Sequence, residues 1–144
     1  MDMDSEKPKK AKAKIFVIDD SATGLTWAQV VLENSGYEVH IYKSPLGLTR
    51  ELGRLQPDLI LLDVNMPPLS GDKICKLIRT VSGRLNPVII LYSSIHVSEL
   101  EALSKECGAD GYLSKSRDSG PLVYLVRERL AKCKGIGELE TKPI

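Results

Sequence analysis

Apolar runs and helix-period patterns alternate five times along the middle of the chain. The first run is Ile15-Phe16-Val17-Ile18, closed by Asp19-Asp20. A helical stretch over about 23–34 follows and stops at Ser35-Gly36, glycine being the residue that tolerates a left-handed cap. In 37–42, Val39 and Ile41 alternate with Glu38 and His40, the period of a strand with one face less buried, which places it at a sheet edge. Ser44-Pro45 predicts a second helix, with serine as N-cap and proline in the first turn, running to about residue 55. Leu59-Ile60-Leu61-Leu62 is continuously apolar, as suits a parallel strand buried on both faces, and it ends at Asp63. After the loop 64–70 a helix covers about 71–81, with Ile74, Cys75, Leu77 and Ile78 as its apolar stripe. Val88-Ile89-Ile90-Leu91-Tyr92 is the fourth strand and ends at Ser93; a helix over about 98–107 follows, capped by Gly108. The last strand, 110–114, leads to Lys115, and Ser119-Gly120-Pro121 opens a final helix to about residue 133.

Five β–α units in alternation imply an α/β fold, a doubly wound parallel sheet with helices on both faces. The natural strand order for five units is the flavodoxin-like 2-1-3-4-5, which sets strands 1 and 3 side by side at the centre. Residues 14–133 form the one domain this predicts. Residues 1–13 read as a disordered basic tail, with Lys7, Lys9, Lys10 and Lys12 around Pro8, and 134–144 as a second tail. No aromatic residue interleaves those lysines, so the arm reads as solvated rather than as a nucleic-acid grip.

Composition narrows the picture further. With 20 Lys and Arg against 19 Asp and Glu, the net charge is +1, and no polyanion partner is called for. Three cysteines without a close pair argue against a disulfide framework or a zinc ribbon and fit a reducing, cytoplasmic setting. No apolar run approaches the ~18 residues a membrane span needs, and the start of the chain lacks the apolar stretch of a secretory signal.

The ends of the strands carry the chemistry. Strand 1 delivers Asp19 and Asp20, strand 3 Asp63, strand 4 Ser93 and strand 5 Lys115; strand 2, on the outside, ends at Lys43 and carries none of these groups. Ligands of such sheets sit outside the carboxyl ends of the strands, at the switch point between strands 1 and 3. Crowded carboxylates repel, and a hard divalent cation such as Mg²⁺ relieves that repulsion. Asp63 can then act as a nucleophile on a phosphoryl group, with Lys115 and Ser93 contacting its oxygens. Each residue also has an ordinary structural use: an Asp at a strand end caps the next helix, and a Ser or Lys there is a turn or solvated residue. Their conjunction at four of five strand ends favours the chemical reading.

Val17-Ile18-Asp19-Asp20-Ser21, Asp63-Val64-Asn65-Met66-Pro67-Pro68-Leu69-Ser70-Gly71, Tyr92-Ser93-Ser94 and Gly108-Ala109-Asp110-Gly111-Tyr112-Leu113-Ser114-Lys115 resemble the motifs of response regulator receiver domains. The second piece matches that family's D-x-x-M-P-x-x-x-G loop. The resemblance covers about 14–132 and implies a single-domain signalling protein of a two-component phosphorelay. Such a protein is not an enzyme, although it catalyses its own phosphorylation and dephosphorylation. It implies Asp63 as phosphoacceptor, and Mg²⁺ held by Asp20, Asp63 and the backbone carbonyl of Asn65, with Asp19 reaching the ion through water. Ser93, Lys115 and Tyr112 match the hydroxyl, lysine and aromatic that read the phosphoryl group. The implied donor is a sensor histidine kinase or histidine phosphotransfer protein. The implied output is a downstream protein bound by the face of the fourth helix, fifth strand and fifth helix, a face that is also a candidate for homodimer contact. Leu100, Tyr112 and Tyr124 are expected near that face, with core packing the stronger expectation for Leu100. Ser116 stands where the family usually has proline, which puts the aim of Lys115 in question. Only about a dozen residues follow the fifth helix, so the output is protein binding or the chain is a fragment.

Three rival readings stand beside this one. Ser21-Ala22-Thr23-Gly24-Leu25-Thr26 looks like the phosphate loop of a flavodoxin-like flavin carrier, but Asp19 and Asp20 just upstream would oppose a flavin phosphate. A haloacid dehalogenase phosphatase would need an acid at position 65, which is Asn. A phosphorylation-independent receiver serving as a binding module is favoured only by Ser116.

Overall fold

The computed structural model describes residues 12–66, 69–83 and 85–134, without the side chains of residues 133 and 134. Its elements are β1 (Lys14–Ile18), α1 (Ala22–Asn34), β2 (Glu38–Tyr42), α2 (Leu48–Leu55), β3 (Leu59–Asp63), α3 (Gly71–Val81), β4 (Val88–Ser93), α4 (Val97–Cys107), β5 (Gly111–Ser114) and α5 (Gly120–Lys134). All strand pairs are parallel and the order is β2-β1-β3-β4-β5, as the alternation of the sequence predicts. α5 runs one residue past the expected domain end at 133.

Strand periodicity divides the core in two. Phe16, Ile18, Ile60, Leu62, Ile89 and Leu91 point to the side where α2, α3 and α4 contribute Leu52, Ile74, Ile78 and Leu100. Ile15, Val17, Leu59, Leu61, Ile90 and Tyr92 point to the other side, against Leu25, Ala28 and Leu32 of α1 and Leu122, Val126 and Leu130 of α5. Every residue of β3 and β4 is buried, which accounts for their unbroken apolar runs. β2 lies at the edge, and its Ile41 is left exposed.

The start of α2 departs from the sequence expectation. Ser44 Oγ accepts from the Leu46 amide, and the Pro45 carbonyl accepts from Leu48. These bonds close a turn instead of a helix. The chain then passes through Gly47 at φ 79°, and the helix starts only at Leu48. The serine hydroxyl is consumed locally, which is the competition that makes Ser-Pro ambiguous between cap and turn. α1 starts one residue earlier than expected, at Ala22, because Ser21 is its N-cap and accepts from the Gly24 amide at 3.1 Å.

Gly71 opens α3, and a Cβ there would meet Asp63 O, and Val64 Cα at 2.8 Å. The start of α3 is therefore seated directly on the end of β3. Its amide donates to the Val64 carbonyl at 2.9 Å. This contact fixes the loop that follows Asp63.

Candidate functional site

The parallel order brings the carboxyl ends of β1, β3, β4 and β5 to one edge of the sheet. Asp19, Asp20 and Asp63 each place a carboxylate oxygen within 4.8 Å of the others. Asp19 is 2% and Asp63 5% exposed, while Asp20 faces solvent. The arrangement is an acidic cup with two buried walls and one open side.

Each buried carboxylate is held by its own loop. Asp19 Oδ1 accepts from the Ser21 amide at 3.0 Å, and Asp63 Oδ1 accepts from the Asn65 amide at 3.3 Å. Lys115 enters from β5. Its backbone amide donates to the Ser93 carbonyl at 2.9 Å, which ties the end of β5 to the end of β4. Its Nζ lies 2.9 Å from Asp19 Oδ2 and 3.6 Å from Asp63 Oδ2, and 5.5 Å from the centroid of the Tyr92 ring. Serine at position 116 has not turned the lysine away. The loop after it is braced by Ser116 Oγ, which accepts from the Asp118 amide, and by Asp118 Oδ1, which accepts from the Gly120 amide.

One ammonium does not balance three carboxylates. Burial pushes the Asp63 carboxyl up to about 6; Lys115 opposes the rise and Asp19 adds to it. Burial also pushes the Tyr92 hydroxyl up to about 12, with Asp19 and Asp63 adding to the effect. A cup of oxygen donors with surplus negative charge and an open side fits a small hard cation that keeps part of its water.

Ser93 is fully buried, and its Oγ accepts from the Ile95 amide at 3.3 Å, so it is turned toward its own loop. Tyr112 pairs with Leu91 across β4 and β5 and is half-buried against the α2–α4 side of the core. Ser93 follows Leu91 by two and shares that face. Leu100 is core, as packing predicts, whereas Tyr124 is exposed. Asp19, Asp20, Asp63, Asn65 and Lys115 therefore converge, and Ser93 and Tyr112 form a second line on the α4 side. Pro67 and Pro68 lie outside the described residues.

Sequence reasoning missed that the nearest carboxylate to Lys115 is Asp19, and that Tyr92 lies beneath the ammonium. The second was available from strand alternation: Tyr92 must face opposite to Ser93, toward α1 and α5. The first depends on side-chain rotamers at two strand ends and leaves no trace in spacing.

A sequence model of the response regulator receiver domain family matches residues 15–127. The DNA-binding response regulator MtrA of Mycobacterium tuberculosis is 30% identical over 121 residues, covering 84% of this chain and 52% of MtrA. The alkaline phosphatase synthesis transcriptional regulatory protein PhoP of Bacillus subtilis is 34% identical over 102 residues, covering 71% of this chain and 42% of PhoP. The chain thus spans about half the length of the curated relatives it matches. Among solved structures, the chemotaxis protein CheY4 of Vibrio cholerae superposes with TM-score 0.75 at 26% identity, covering 82% of this chain and 98% of CheY4. The BeF3-activated receiver domain of RstA from Klebsiella pneumoniae superposes with TM-score 0.73 at 26% identity, covering 81% of this chain and 97% of that domain.

Proposed function

The chain belongs to the response regulator receiver domain family, and from that premise we propose that Asp63 accepts a phosphoryl group from a phosphohistidine. The donor is a sensor histidine kinase or a histidine phosphotransfer protein. The observation that carries this reading is the buried Asp63 carboxylate at the end of β3, with the Lys115 ammonium 3.6 Å away and the Asp19 and Asp20 carboxylates beside it.

Asp20, Asp63 and the backbone carbonyl of Asn65 would hold Mg²⁺, with Asp19 reaching it through water; bound there, the ion supplies positive charge to the phosphoryl oxygens. An Asp63 oxygen attacks phosphorus, the P–O bond forms as the P–N bond breaks, and the electron pair returns to the imidazole. No general base is required, because a carboxyl that titrates near 6 is mostly ionised at neutral pH. Lys115 contributes charge from the β5 side by moving from Asp19 toward the new oxygens.

The acyl phosphate adds about −1.5 to −2 charge and strong acceptors. Ser93 exchanges its contact with Ile95 for a phosphoryl oxygen, and the loop into α4 follows. Tyr112, on the same sheet face, turns into the space this opens. The face built from α4, β5 and α5 then changes shape for a downstream protein or a second copy, with exposed Val97 and Tyr124 as its apolar anchors. MtrA is named a DNA-binding regulator; the domain described for this chain is assigned a protein target instead.

Intact-protein mass measurement after incubation with acetyl phosphate and Mg²⁺ tests the reading. Wild type gains one phosphoryl mass and Asp63→Asn gains none. An unmodified wild type, beside a control receiver that is modified, would leave the phosphorylation-independent binding module.

A further inference from the structure

Gly24 is the third residue of α1, and no feature of its backbone calls for glycine. Among the described residues the glycines with positive φ are Gly36, Gly47, Gly83 and Gly108; Gly24 is not among them. Alanine is the better helix former at such a position. What glycine provides here is space. A Cβ at residue 24 would lie 2.7 Å from Asp19 Oδ2 and 3.5 Å from Asp19 Cγ. Asp19 Oδ2 is the oxygen that accepts from Lys115 at 2.9 Å, while Oδ1 is fixed by the Ser21 amide at 3.0 Å. The carboxylate is thus held at both oxygens, 2% exposed, with one side flat against the first turn of α1.

We propose that Gly24 is a positioning residue of the site: its missing side chain lets the Asp19 carboxylate lie against α1 with its Oδ2 on Lys115. A side chain there displaces Asp19 Oδ2 and breaks its pairing with the lysine. The glycine of the Ser21-Ala22-Thr23-Gly24-Leu25-Thr26 segment, which looks like a flavin phosphate loop, is then explained by its approach to an aspartate.

The test has two arms on the full chain. In the first, acetylation of Lys115 by dilute acetic anhydride is followed by peptide mass spectrometry. Gly24→Ala and Gly24→Ser raise the rate severalfold, to that of Asp19→Ala; an unchanged rate in both overturns the proposal. The second arm rests on the phosphoacceptor reading and follows phosphorylation by acetyl phosphate with Mg²⁺. Gly24→Ala slows it on the order of tenfold with thermal stability retained. Added to Asp19→Ala it slows nothing further, because the clash needs the carboxylate. An equal loss in the Asp19→Ala background marks a general distortion and also overturns the proposal. A wild type that accepts no phosphoryl group sinks the phosphoacceptor reading alone, and the acetylation arm still decides Gly24.

Discussion

Lys115 is paired with Asp19 more closely than with Asp63, at 2.9 Å against 3.6 Å. Asp19 is 2% exposed, so its charge relies on that ammonium and on the Ser21 amide. Removing the ammonium leaves a buried carboxylate beside two others. Lys115→Ala is expected to lower the stability of the metal-free protein by about 2 kcal/mol, the scale of a hydrogen bond to a charged group. Saturating Mg²⁺ is expected to recover most of the loss, since the ion proposed for this cup would neutralise the same carboxylates. Urea unfolding in EDTA and in Mg²⁺ checks both halves; a variant as stable as wild type in EDTA would contradict the pairing.

Asp63 gives the metal-free protein a distinctive pH dependence. Its folded carboxyl is pushed up to about 6 from an ordinary 3.8, chiefly by burial. The folded state therefore binds this proton more tightly than the unfolded chain does. The stabilisation is fully present below about 3.8 and is lost as pH rises through about 6. Asp63→Asn removes the titration. In EDTA, the variant should melt above wild type at pH 7.5, and the gap should narrow as pH falls toward 4.5. Parallel melting curves of the two proteins across that range would refute the assignment.

How much of this was legible beforehand follows from what kind of force places each part. The sheet order and the two-sided core are written in periodicity: β3 and β4 carry unbroken apolar runs because both faces are covered, and Val39-His40-Ile41 alternates because β2 is at the edge. The strand-end acids and Lys115 were legible because a parallel sheet sends all its carboxyl ends to one side. The start of α2 was misplaced because Ser44 can cap a helix or close a turn with the same hydroxyl, and only the fold chooses. The pairing of Lys115 with Asp19 and the contact of Asp19 with Gly24 were invisible, because both are set by rotamers across 96 and five positions of chain.

Arg79 holds the opposite edge of the sheet together. Its guanidinium donates to the Gly108 carbonyl at 3.0 Å, to Asn86 Oδ1 at 3.1 Å, to the Pro87 carbonyl at 2.8 Å and to Asp110 Oδ2 at 2.6 Å. One side chain thus joins α3 to the cap of α4, the entry of β4 and the entry of β5. Arg79→Ala should cost about 2 kcal/mol, because the partly exposed carboxylate contributes little but the two carbonyls lose their donor. Arg79→Lys should recover less than half of it, since a single ammonium cannot span four acceptors. Urea midpoints measure the loss, and Mg²⁺ affinity should stay at the wild-type value because the cup lies at the other end of the strands.

Gly71 is the position where a single methyl group should do most harm. Unlike the contact at Gly24, which involves a side-chain carboxylate, a Cβ at 71 meets backbone: the Asp63 carbonyl, and Val64 Cα at 2.8 Å. Backbone at the end of a fully buried central strand has nowhere to go. Gly71→Ala must lift the start of α3 off β3, breaking the bond from the Gly71 amide to the Val64 carbonyl and loosening the loop that holds Asn65 over Asp63. Overpacking of this kind costs about 1–3 kcal/mol or more. The expected result is a lower urea midpoint with weakened Mg²⁺ binding and a slower gain of phosphoryl mass, all three together. Gly36→Ala provides the control: its φ of 97° strains an alanine, but nothing lies within 4 Å of the added Cβ. That variant should lose stability and keep Mg²⁺ affinity. If Gly71→Ala also kept its affinity, the seating of α3 on β3 would not be what fixes the loop after Asp63.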